Sequence, residues 1–422
     1  MKKDIAVIIL AAGKGKRMKS SQPKVLHTVA ARPMLGYVLD LAASVKPRYK
    51  ICVLGFKSEL VKEYVKKEAP GFKIVIQKKL LGSGDALKQA GSILKNFKGT
   101  VLVLYGDNPL LEAQALKKLI RQHQQRANQA TLLLADLDKP AGYGRIIRDN
   151  NNNICGIVEE LQANDFEKDI KEINTGIACF DKEVLFRALS RVKLNPRKKE
   201  YYLTDVVGIL HKQKALIGSL KIEDFRQANG INSHSQLSQA ERIMQERLLL
   251  ALQDKGVIII DTSSTRVCWD TRIQAGTTVF PFTVIERNVK IGKNCRLGPF
   301  CHLRNGVVIQ DNSVIGNFTE ISRSKIGKGT IAKHFCFLGD SRIGNNVNIG
   351  AGTVTANYDG KRKSVTKIGD KVFIGSNTTL VAPLKLGKRS STGAGSVLVK
   401  NRNVPCDTTV IGVPARPLKK KK

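Results

Sequence analysis

The stretch IERNVK-IGKNCR-LGPFCH-LRNGVV-IQDNSV-IGNFTE, residues 285–320, decides the fold of the second half of this chain. An aliphatic residue opens each of these six-residue blocks, and the same spacing begins at Ile273 and continues to Ile321. A period of six is neither that of a helix nor that of a simple strand. It is what a triangular β-solenoid needs, with one short strand per side and one aliphatic side chain per side filling the interior. The series resumes at Ile326 and runs, with short adjustments, to Val404, so we predict a solenoid from about residue 257 onward.

The first half has a different pattern, in which short apolar runs alternate with stretches of helical spacing. Such alternation predicts parallel strands buried on both faces, with helices on both sides of the sheet. We also expect a hairpin over 144–159 and one helix over 233–252. The predicted strands are 5–10, 50–56, 72–77 and 100–105, and the predicted helices between them are 33–46, 58–67 and 84–97.

Composition limits the possible functions. The 422 residues carry 71 Lys and Arg against 35 Asp and Glu, a net charge of +36 that attracts polyanions in general. The basic residues are spread along the chain and aromatics are only 5%, so we expect no dedicated nucleic-acid binding. The eight cysteines form no C-x-x-C pair, which indicates free thiols in a reducing cytoplasm. No run approaches the ~20 apolar residues of a membrane span, so we expect no transmembrane segment.

A basic, glycine-containing loop, LAAGKGKRMKSSQPK at residues 10–24, follows the first predicted strand. Glycine amides can approach phosphate oxygens there and the cations can neutralise them, although the P-loop pattern is absent. Asp107 follows the fourth strand, so the same rim of the sheet offers a carboxylate for a divalent metal. A second Gly-rich turn, LGSGDA at 81–86, suits a flat base. A triphosphate, a metal and a base together indicate nucleotidyl transfer.

The loop LAAGKGKRMKSSQPKVLH also resembles the L-x-x-G-x-G-x-R-M…P-K signature of sugar-phosphate nucleotidyltransferases. The motif order continues with LGSGDA, YGDNPL, GYGRI, GIVEE, EINTGI and GINS. With the solenoid behind it, the chain resembles, nearly end to end, the family of bifunctional N-acetylglucosamine-1-phosphate uridylyltransferases / glucosamine-1-phosphate acetyltransferases. The resemblance implies an α/β chain with a Rossmann-like nucleotidyltransferase domain (1–230), a linker helix (231–254) and a left-handed parallel β-helix with a basic tail (255–422).

The resemblance further implies two activities in a cytoplasmic homotrimer, with Mg²⁺ as the metal and acetyl-CoA as the acetyl donor. Glucosamine-1-phosphate would be acetylated, and the product would be joined to UMP from UTP to give UDP-N-acetylglucosamine for peptidoglycan and lipopolysaccharide precursors. In the first half, Arg17 and Lys24 would stabilise charge on the α-phosphate, while Asp107 and Asn232 would hold Mg²⁺. The other implied contacts are Leu10, Ala11, Ala12, Gly13, Tyr105 and Gly106 for the nucleotide, Gln77, Gly82 and Ser83 for the uracil, and Gly144, Glu159 and Asn174, with Asn232, for the substrates.

In the second half, the resemblance makes His334 the general base, oriented by Glu320. Arg304 and Lys363 would bind the sugar phosphate, and Asn348 the sugar. The residues implied along the acetyl-CoA groove are Ala351, Asn357, Tyr358, Ser376 and Ala394.

Several positions depart from the family pattern. Ser322 stands where the family has a phosphate-binding Lys, and Phe337 where it has a substrate-contacting Tyr. The stretch before Ile291 is shorter than usual, so a coil or two is missing.

Three alternatives remain open from the sequence. The first is a uridylyltransferase whose β-helix is weak or inactive in acetyl transfer and serves to form the trimer. The second is a non-catalytic binding subunit, against which the intact set of Arg17, Lys24, Asp107 and Asn232 argues. The third is a pyrophosphorylase for another sugar or base.

Overall fold

The computed structural model describes residues 4–196 and 198–418, and the basic tail at 419–422 lies outside this part of the chain. The chain divides into two compact units, Met1–Glu241 and Arg242–Lys422. The division falls within a long helix, His234–Gln253, which matches the helix predicted over 233–252 to within one residue at each end. No helix among the described residues is long and apolar enough to cross a membrane.

The first unit is built on one mixed sheet, whose main strands lie in the order β11 (Ile217–Lys221), β7 (Ala130–Asp136), β10 (Glu172–Asp181), β6 (Thr100–Tyr105), β1 (Ile5–Ala11), β4 (Tyr49–Leu54) and β5 (Lys73–Ile76). Strand β1 pairs in parallel with β4 and β6, and β4 with β5, which confirms the predicted buried parallel strands. Strand β10 lies antiparallel between β6 and β7, an insertion that the sequence did not reveal. The strands of this unit are β1 Ile5–Ala11, β2 Thr28–Val29, β3 Arg32–Pro33, β4 Tyr49–Leu54, β5 Lys73–Ile76, β6 Thr100–Tyr105, β7 Ala130–Asp136, β8 Gly144–Arg148, β9 Ile154–Val158, β10 Glu172–Asp181 and β11 Ile217–Lys221.

Apolar helix faces cover both sides of this sheet, and each side has its own buried cluster. The helix predicted over 84–97 is shorter than expected, because it ends at Gln89 and continues only as a 3-10 turn. Gly91 lies in that turn, where a Cβ would meet the Phe186 ring at 3.0 Å. The helices are α1 Met34–Ser44, α2 Ser58–Glu68, α3 Ser83–Gln89, α4 Ala113–Gln125, α5 Asp165–Lys168, α6 Lys182–Arg191, α7 Asp205–Lys212 and α8 His234–Gln253.

The predicted hairpin is confirmed as β8 and β9, which pair antiparallel with Arg145 opposite Val158. Strand β8 also pairs with the start of β10, where Asn174 lies opposite Gly144. The hairpin is therefore attached to the main sheet through β10.

The second unit consists of short strands stacked in three sheets, one for each side of a triangular coil, and neighbouring strands pair in parallel except for Thr409–Ile411 with Arg416–Pro417. The first sheet contains Ile258–Ile259, Thr278–Val279, Arg296–Leu297, Val314–Asn317, Ile331–His334, Asn348–Ile349, Phe373–Ile374, Ser391–Thr392, Thr409–Ile411 and Arg416–Pro417. The second contains Arg266–Val267, Val284–Ile285, His302–Leu303, Glu320–Ser322, Phe337–Gly339, Val354–Ala356, Thr379–Val381 and Val397–Leu398. The third contains Arg272–Ile273, Lys290–Ile291, Val308–Ile309, Lys325–Ile326, Ser341–Ile343, Thr366–Ile368 and Leu384–Leu386.

The interior of the coil is filled by the aliphatic residues of the six-residue period. Val279, Leu297 and Ile315 occupy one side on successive turns and are fully buried. Thr392 replaces an aliphatic residue in this column and is 3% exposed. The predicted hexapeptide β-helix is therefore confirmed, with neighbouring strands about 4.8 Å apart along its axis.

Candidate active sites

The ends of two neighbouring strands bring the glycine loop and Asp107 to one rim of the first sheet. Leu10 near the end of β1 lies beside Tyr105 at the end of β6, and the Gly106 amide donates to the Leu10 carbonyl at 3.0 Å. Because β1 and β6 run in parallel, the segments that follow them leave the sheet side by side. The position expected for both segments is confirmed.

At this rim one cation joins residues from three distant segments. The Lys24 ammonium donates to a carboxylate oxygen of Asp107 and, at 2.8 Å, to the amide oxygen of Asn232. The Lys24 and Asp107 side chains are only 13% and 14% exposed. Gly15 takes a left-handed φ of 60°, and a Cβ there would lie 2.6 Å from Cβ of Lys24. Gly15 thus lets the loop fold closely over Lys24.

The oxygens around Lys24 suit a hard divalent cation. Asp107 and Asn232 already converge on a single positive centre, the ammonium. Among the described residues there is no group of three or more His, Cys, Asp or Glu side chains placed to hold a metal. One carboxylate with neutral oxygens, completed by substrate phosphates, is a usual way for proteins to bind Mg²⁺. The residues present therefore fit the expected ion.

The glycine loop leaves a second cation unpaired. Arg17 is exposed in the 3-10 turn Lys16–Met18, and it forms no ion pair or hydrogen bond with any residue in the described ranges. Nothing lies within 4 Å of a Cβ built on Gly13. The loop thus presents open backbone at Gly13 and a free guanidinium at Arg17.

The turn expected to meet the uracil is held by buried hydrogen bonds. The Gln77 side chain, 4% exposed, donates to the Gly82 carbonyl at 3.1 Å and to Asp85 at 2.7 Å. Gly82 has a φ of 95°, and a Cβ there would lie 2.7 Å from the Tyr201 carbonyl oxygen. Ser83 Oγ accepts from the Leu203 amide at 3.1 Å. The segment around Tyr201 therefore supports this turn, a role that the sequence analysis missed.

The three residues expected to hold the sugar lie together. Gly144 pairs with Asn174, and a Cβ on Gly144 would lie 3.6 Å from Oε2 of Glu159. Burial raises the pKa of Glu159, although a hydrogen bond from Thr204 at 2.9 Å lowers it in part. Burial also raises the pKa of Tyr105, whose ring packs against Gly176. Thr204 was missed from the sequence, and its only signal was its place in the polar run YYLTD.

In the second unit, His334 and three residues expected to line the acetyl-CoA groove form one column. His334 ends the strand Ile331–His334, in which Ile331 pairs with Asn348 on the next turn. Continuing this register three residues along both segments places His334 opposite Ala351. The same counting leads from Ala351 to Ser376 and from Ser376 to Ala394. The amide of Asn377 donates to the Ala351 carbonyl at 2.6 Å, and that of Gly395 to the Ser376 carbonyl at 2.7 Å. The column therefore spans four successive turns, about 15 Å.

Glu320 does not contact His334. Its carboxylate accepts from the Arg304 guanidinium at 3.0 Å, and Arg304 is the residue expected to bind the sugar phosphate. The exposed His334 side chain forms no hydrogen bond within the described part of the chain. The orienting contact expected between Glu320 and His334 is thus replaced by an Arg304–Glu320 ion pair.

A second polar cluster surrounds Asp340. Its carboxylate accepts from Arg323 at 2.7 and 2.8 Å and from the Asn357 amide at 2.5 Å. The hydrogen bond from Arg323 is the main cause that lowers the Asp340 pKa, and Lys363 lowers it further. Arg323 also donates to Ser322, the residue at the position of the family lysine. Asp340 was not among the residues expected from the sequence, where its signal was its place in FLGD after His334.

The remaining residues expected at this site are placed as follows. Asn348 lies in the same sheet as His334. Tyr358 and Lys363 pair in an isolated bridge, which closes the loop of residues 359–362. Phe337 packs against Gly339, where a Cβ would lie 2.9 Å from its ring. The structure therefore places Asn357, Tyr358 and Lys363 near the Asp340 cluster rather than in the His334 column.

Comparisons with known proteins agree with this division of the chain. The family model described as nucleotidyl transferase matches residues 6–225. Two hexapeptide models, bacterial transferase hexapeptide (six repeats) and hexapeptide repeat of succinyl-transferase, match residues 288–323 and 365–400.

Curated relatives match over nearly the whole chain. The bifunctional protein GlmU of Streptococcus mutans is 39% identical over 96% of this chain and 94% of the relative. That of Geobacillus sp. is 39% identical over 93% and 92%, and that of Pelotomaculum thermopropionicum is 42% identical over 90% of each. The chain belongs to the GlmU family of bifunctional enzymes, and it joins a uridylyltransferase to an acetyltransferase.

Proposed function

We propose that this chain makes UDP-N-acetylglucosamine in two steps, using a divalent metal and acetyl-CoA. The amine of glucosamine-1-phosphate takes the acetyl group of acetyl-CoA, and the thiol of coenzyme A leaves. The phosphate of the N-acetylglucosamine-1-phosphate product then attacks the α-phosphorus of UTP, and pyrophosphate leaves. The convergence of Lys24, Asp107 and Asn232 on one point of the strand rim is the observation that carries this proposal.

In uridylyl transfer the loop after β1 would bind the triphosphate through its backbone amides. Arg17 and Lys24 would neutralise charge that develops on the α-phosphate as the new bond forms and the bond to pyrophosphate breaks. Asp107 and Asn232 would hold Mg²⁺, which supplies charge neutralisation to the phosphates when bound. The open backbone at Gly13 and the unpaired Arg17 support this assignment.

The two organic parts of the substrates would bind on either side of this phosphate site. Gln77, Gly82 and Ser83 would meet the uracil, because buried contacts hold this turn. The residues proposed for the sugar are Gly144, Glu159 and Asn174, with Asn232 nearby. Leu10, Ala11, Ala12, Tyr105 and Gly106 would complete the nucleotide site at the rim.

In acetyl transfer His334 would act as general base and accept the proton from the attacking amine. The small side chains of Ala351, Ser376 and Ala394 would form a flat track for the extended acetyl-CoA molecule. Arg304 and Lys363 would bind the sugar phosphate and Asn348 the sugar, with Asn357 and Tyr358 beside the cofactor. Glu320 would act through Arg304, to which it is bonded.

We further propose a homotrimer that works in the cytoplasm. Hexapeptide β-helices suggest trimers, and the unpaired, exposed His334 supports a site completed by a neighbouring chain. All eight cysteines are free thiols, which supports a reducing compartment.

Product analysis tests the proposal. The enzyme receives glucosamine-1-phosphate, acetyl-CoA, UTP and Mg²⁺, and each component is then omitted in turn. We expect UDP-N-acetylglucosamine only in the complete mixture, and N-acetylglucosamine-1-phosphate alone when UTP is absent. A complete mixture that yields no nucleotide sugar, while pre-acetylated sugar phosphate does, would leave only the uridylyltransferase half standing.

A further inference from the structure

One face of the β-helix carries a straight row of cations. The outward residues on the seven strands of the third sheet are Arg272, Lys290, Val308, Lys325, Arg342, Lys367 and Lys385. All six basic residues of this set are exposed, and we call them the basic face. None of the residues proposed for acetyl transfer belongs to this set.

The row is in register, so that like charges lie directly beside each other. Lys325 pairs with Arg342, and Arg342 with Lys367, on successive turns. The six steps from Arg272 to Lys385 cover about 29 Å at the usual strand spacing. Like charges placed directly opposite each other on neighbouring strands destabilise the sheet. Aligning six cations in this way therefore lowers the stability of the β-helix unless a bound anion neutralises their charge.

These charges lack salt-bridge partners within the described part of the chain. None of the six cations forms an ion pair with a described residue, although Arg342 donates weakly to the Arg323 and Ser341 carbonyls. The nearby carboxylates of Asp311 and Asp370 accept instead from the backbone amides of the turn before. The basic face therefore presents its charge to solvent.

The two other faces differ. The first sheet exposes three basic residues on its strands, Arg296, Lys333 and Arg416, but their strands are not consecutive neighbours and most of its outward residues are neutral. Those of the second include Arg266 and His302, with the carboxylate of Glu320. The alignment of positive charge is therefore a property of one face rather than of a generally basic surface.

The surface beside the row is bare backbone. Gly327 and Gly344 follow the strands there, and a Cβ on either would lie 2.2 or 2.5 Å from atoms of the next turn. Lys325, Arg342 and Lys388 line a shallow depression at the same place, together with Asp370. No aromatic residue stands among the outward residues of this sheet. The face thus offers charge and flat backbone but no platform for stacking a base.

We propose that the basic face binds the phosphodiester backbone of single-stranded RNA, without regard to sequence. A linear polyanion matches a single row of cations, and the absence of aromatic residues removes base recognition. Val308 is the only apolar residue of the row, so the face offers almost nothing to insert among lipids. This differs from the sequence expectation of no dedicated nucleic-acid binding, because the sequence shows basic residues spread along the chain whereas the fold collects six of them in a line.

The salt dependence of binding measures the number of phosphates that the face contacts. For single strands, the logarithm of the binding constant falls with the logarithm of salt concentration with a slope of about −0.7 per phosphate. Six contacts give a slope of about −4, which weakens binding about 250-fold between about 50 and 200 mM salt. Removing three of them halves the slope and leaves a loss of about 16-fold over the same range.

The experiment measures fluorescence anisotropy of labelled oligo(U) on the full-length enzyme, with excess UTP present to occupy the rim of the first unit. The test variant combines Lys325→Gln, Arg342→Gln and Lys367→Gln. The matched control combines Lys66→Gln, Lys67→Gln and Lys95→Gln, which remove the same charge from exposed positions of the first unit. We expect the slope to halve in the test variant only, with pyrophosphate release unchanged in both and thermal stability of the test variant unchanged or raised.

Two results would overturn the proposal. Equal slopes in the test and control variants would mean that net charge alone attracts RNA. Loss of binding to phosphatidylglycerol vesicles by the test variant, with oligo(U) binding intact, would assign the basic face to a membrane surface instead. Neither result affects the proposed uridylyl and acetyl transfer. Pyrophosphate release and thiol release, measured on the same protein preparations, test those two activities separately.

Discussion

The rim of the first sheet and the His334 column differ in how completely one chain builds them. At the rim, Lys24 is held between Asp107 and Asn232 by partners from the same chain. In the column, His334 is exposed and has no hydrogen-bond partner in the described ranges, because Glu320 is occupied by Arg304. The contacts at the rim are thus formed by folding alone, whereas His334, the proposed base, lacks a side-chain partner among the described residues that would orient it.

Because the two sites differ in this way, we expect the two activities to respond differently to substitutions. Under the proposed function, uridylyl transfer would use contacts among Lys24, Asp107 and Asn232 that folding of the first unit already supplies. Under the proposed function, acetyl transfer would depend on the His334 column, with its remaining contacts supplied by substrate or by a neighbouring chain. Substitutions should therefore separate the two activities cleanly.

The largest effect is expected for His334→Ala. Removal of a general base usually lowers the rate by about 10²–10⁴-fold, so thiol release from acetyl-CoA should fall to that extent while pyrophosphate release is unchanged. His302→Ala is the control, since His302 pairs with Glu286 at 2.9 Å and belongs to neither site. Similar thiol release in both variants would show that His334 is not the general base of acetyl transfer.

The converse separation is expected for Asp107→Ala. Loss of the carboxylate should lower pyrophosphate release by about 10²–10³-fold, the range seen when one electrostatic contact to a transition state is removed. Acetyl transfer should stay at its wild-type rate. Asp136→Ala, an exposed carboxylate at the end of β7, is the matched control. Binding of Mn²⁺ in the presence of UTP, followed by electron paramagnetic resonance, should weaken only in Asp107→Ala, and an unchanged affinity would contradict the metal role.

A smaller gain is expected for Ser322→Lys, which restores the residue typical of the family. One additional charge-assisted hydrogen bond contributes about 1.5–3 kcal/mol, so KM for glucosamine-1-phosphate should fall about tenfold to a hundredfold. Thr278→Lys adds the same charge at a remote strand of the β-helix and should leave KM unchanged. If the folded Ser322→Lys protein keeps the wild-type KM, the position does not face the phosphate, and Arg323 with Ser322 has another role.

The smallest effect concerns stability and pH at the sugar site. Burial raises the pKa of Glu159 above 4.5, so the folded state favours the protonated form and loses stability as pH rises through that raised value. Glu159→Gln removes this loss. Its melting temperature should therefore exceed that of the wild type increasingly as pH rises above about 4.5.

The neighbouring residue provides a control of opposite sign. The Gly142 amide and Arg145 hold the pKa of Glu160 below its usual value despite some desolvation, so ionised Glu160 favours the folded state as pH rises. Glu160→Gln should thus lower the melting temperature above pH 4.5 rather than raise it. Parallel shifts of the two variants across the pH series would show that burial of Glu159 is not the cause.

Much of the fold was predictable because its signals are periodic. The six-residue spacing identified the β-helix, and the apolar runs identified the parallel core of the first sheet. Strand β10 could not be placed in the same way, because nothing in EINTGIACFD shows that it runs antiparallel between β6 and β7. Its position depends on pairing with strands more than 35 residues distant in sequence.

The sites were predictable only where a motif fixed the residue. Lys24, Asp107 and Asn232 were named from the resemblance, but their mutual contact is a product of the fold. The Arg304–Glu320 pair was not foreseen, because it depends on which residues become neighbours on successive turns. The basic face was hidden for the same reason, since the loop between Arg342 and Lys367 lengthens one turn and breaks the count that would align them.

Each turn of the β-helix contacts mainly the turn above and the turn below. The turns between Ile258 and Ile291 lie before the segment that carries His334, so their number does not alter the spacing of His334, Ala351, Ser376 and Ala394. A coil gained or lost at that end would therefore change the length of the β-helix and leave the register of these four residues unchanged. The number of turns in the β-helix can thus vary independently of the His334 column.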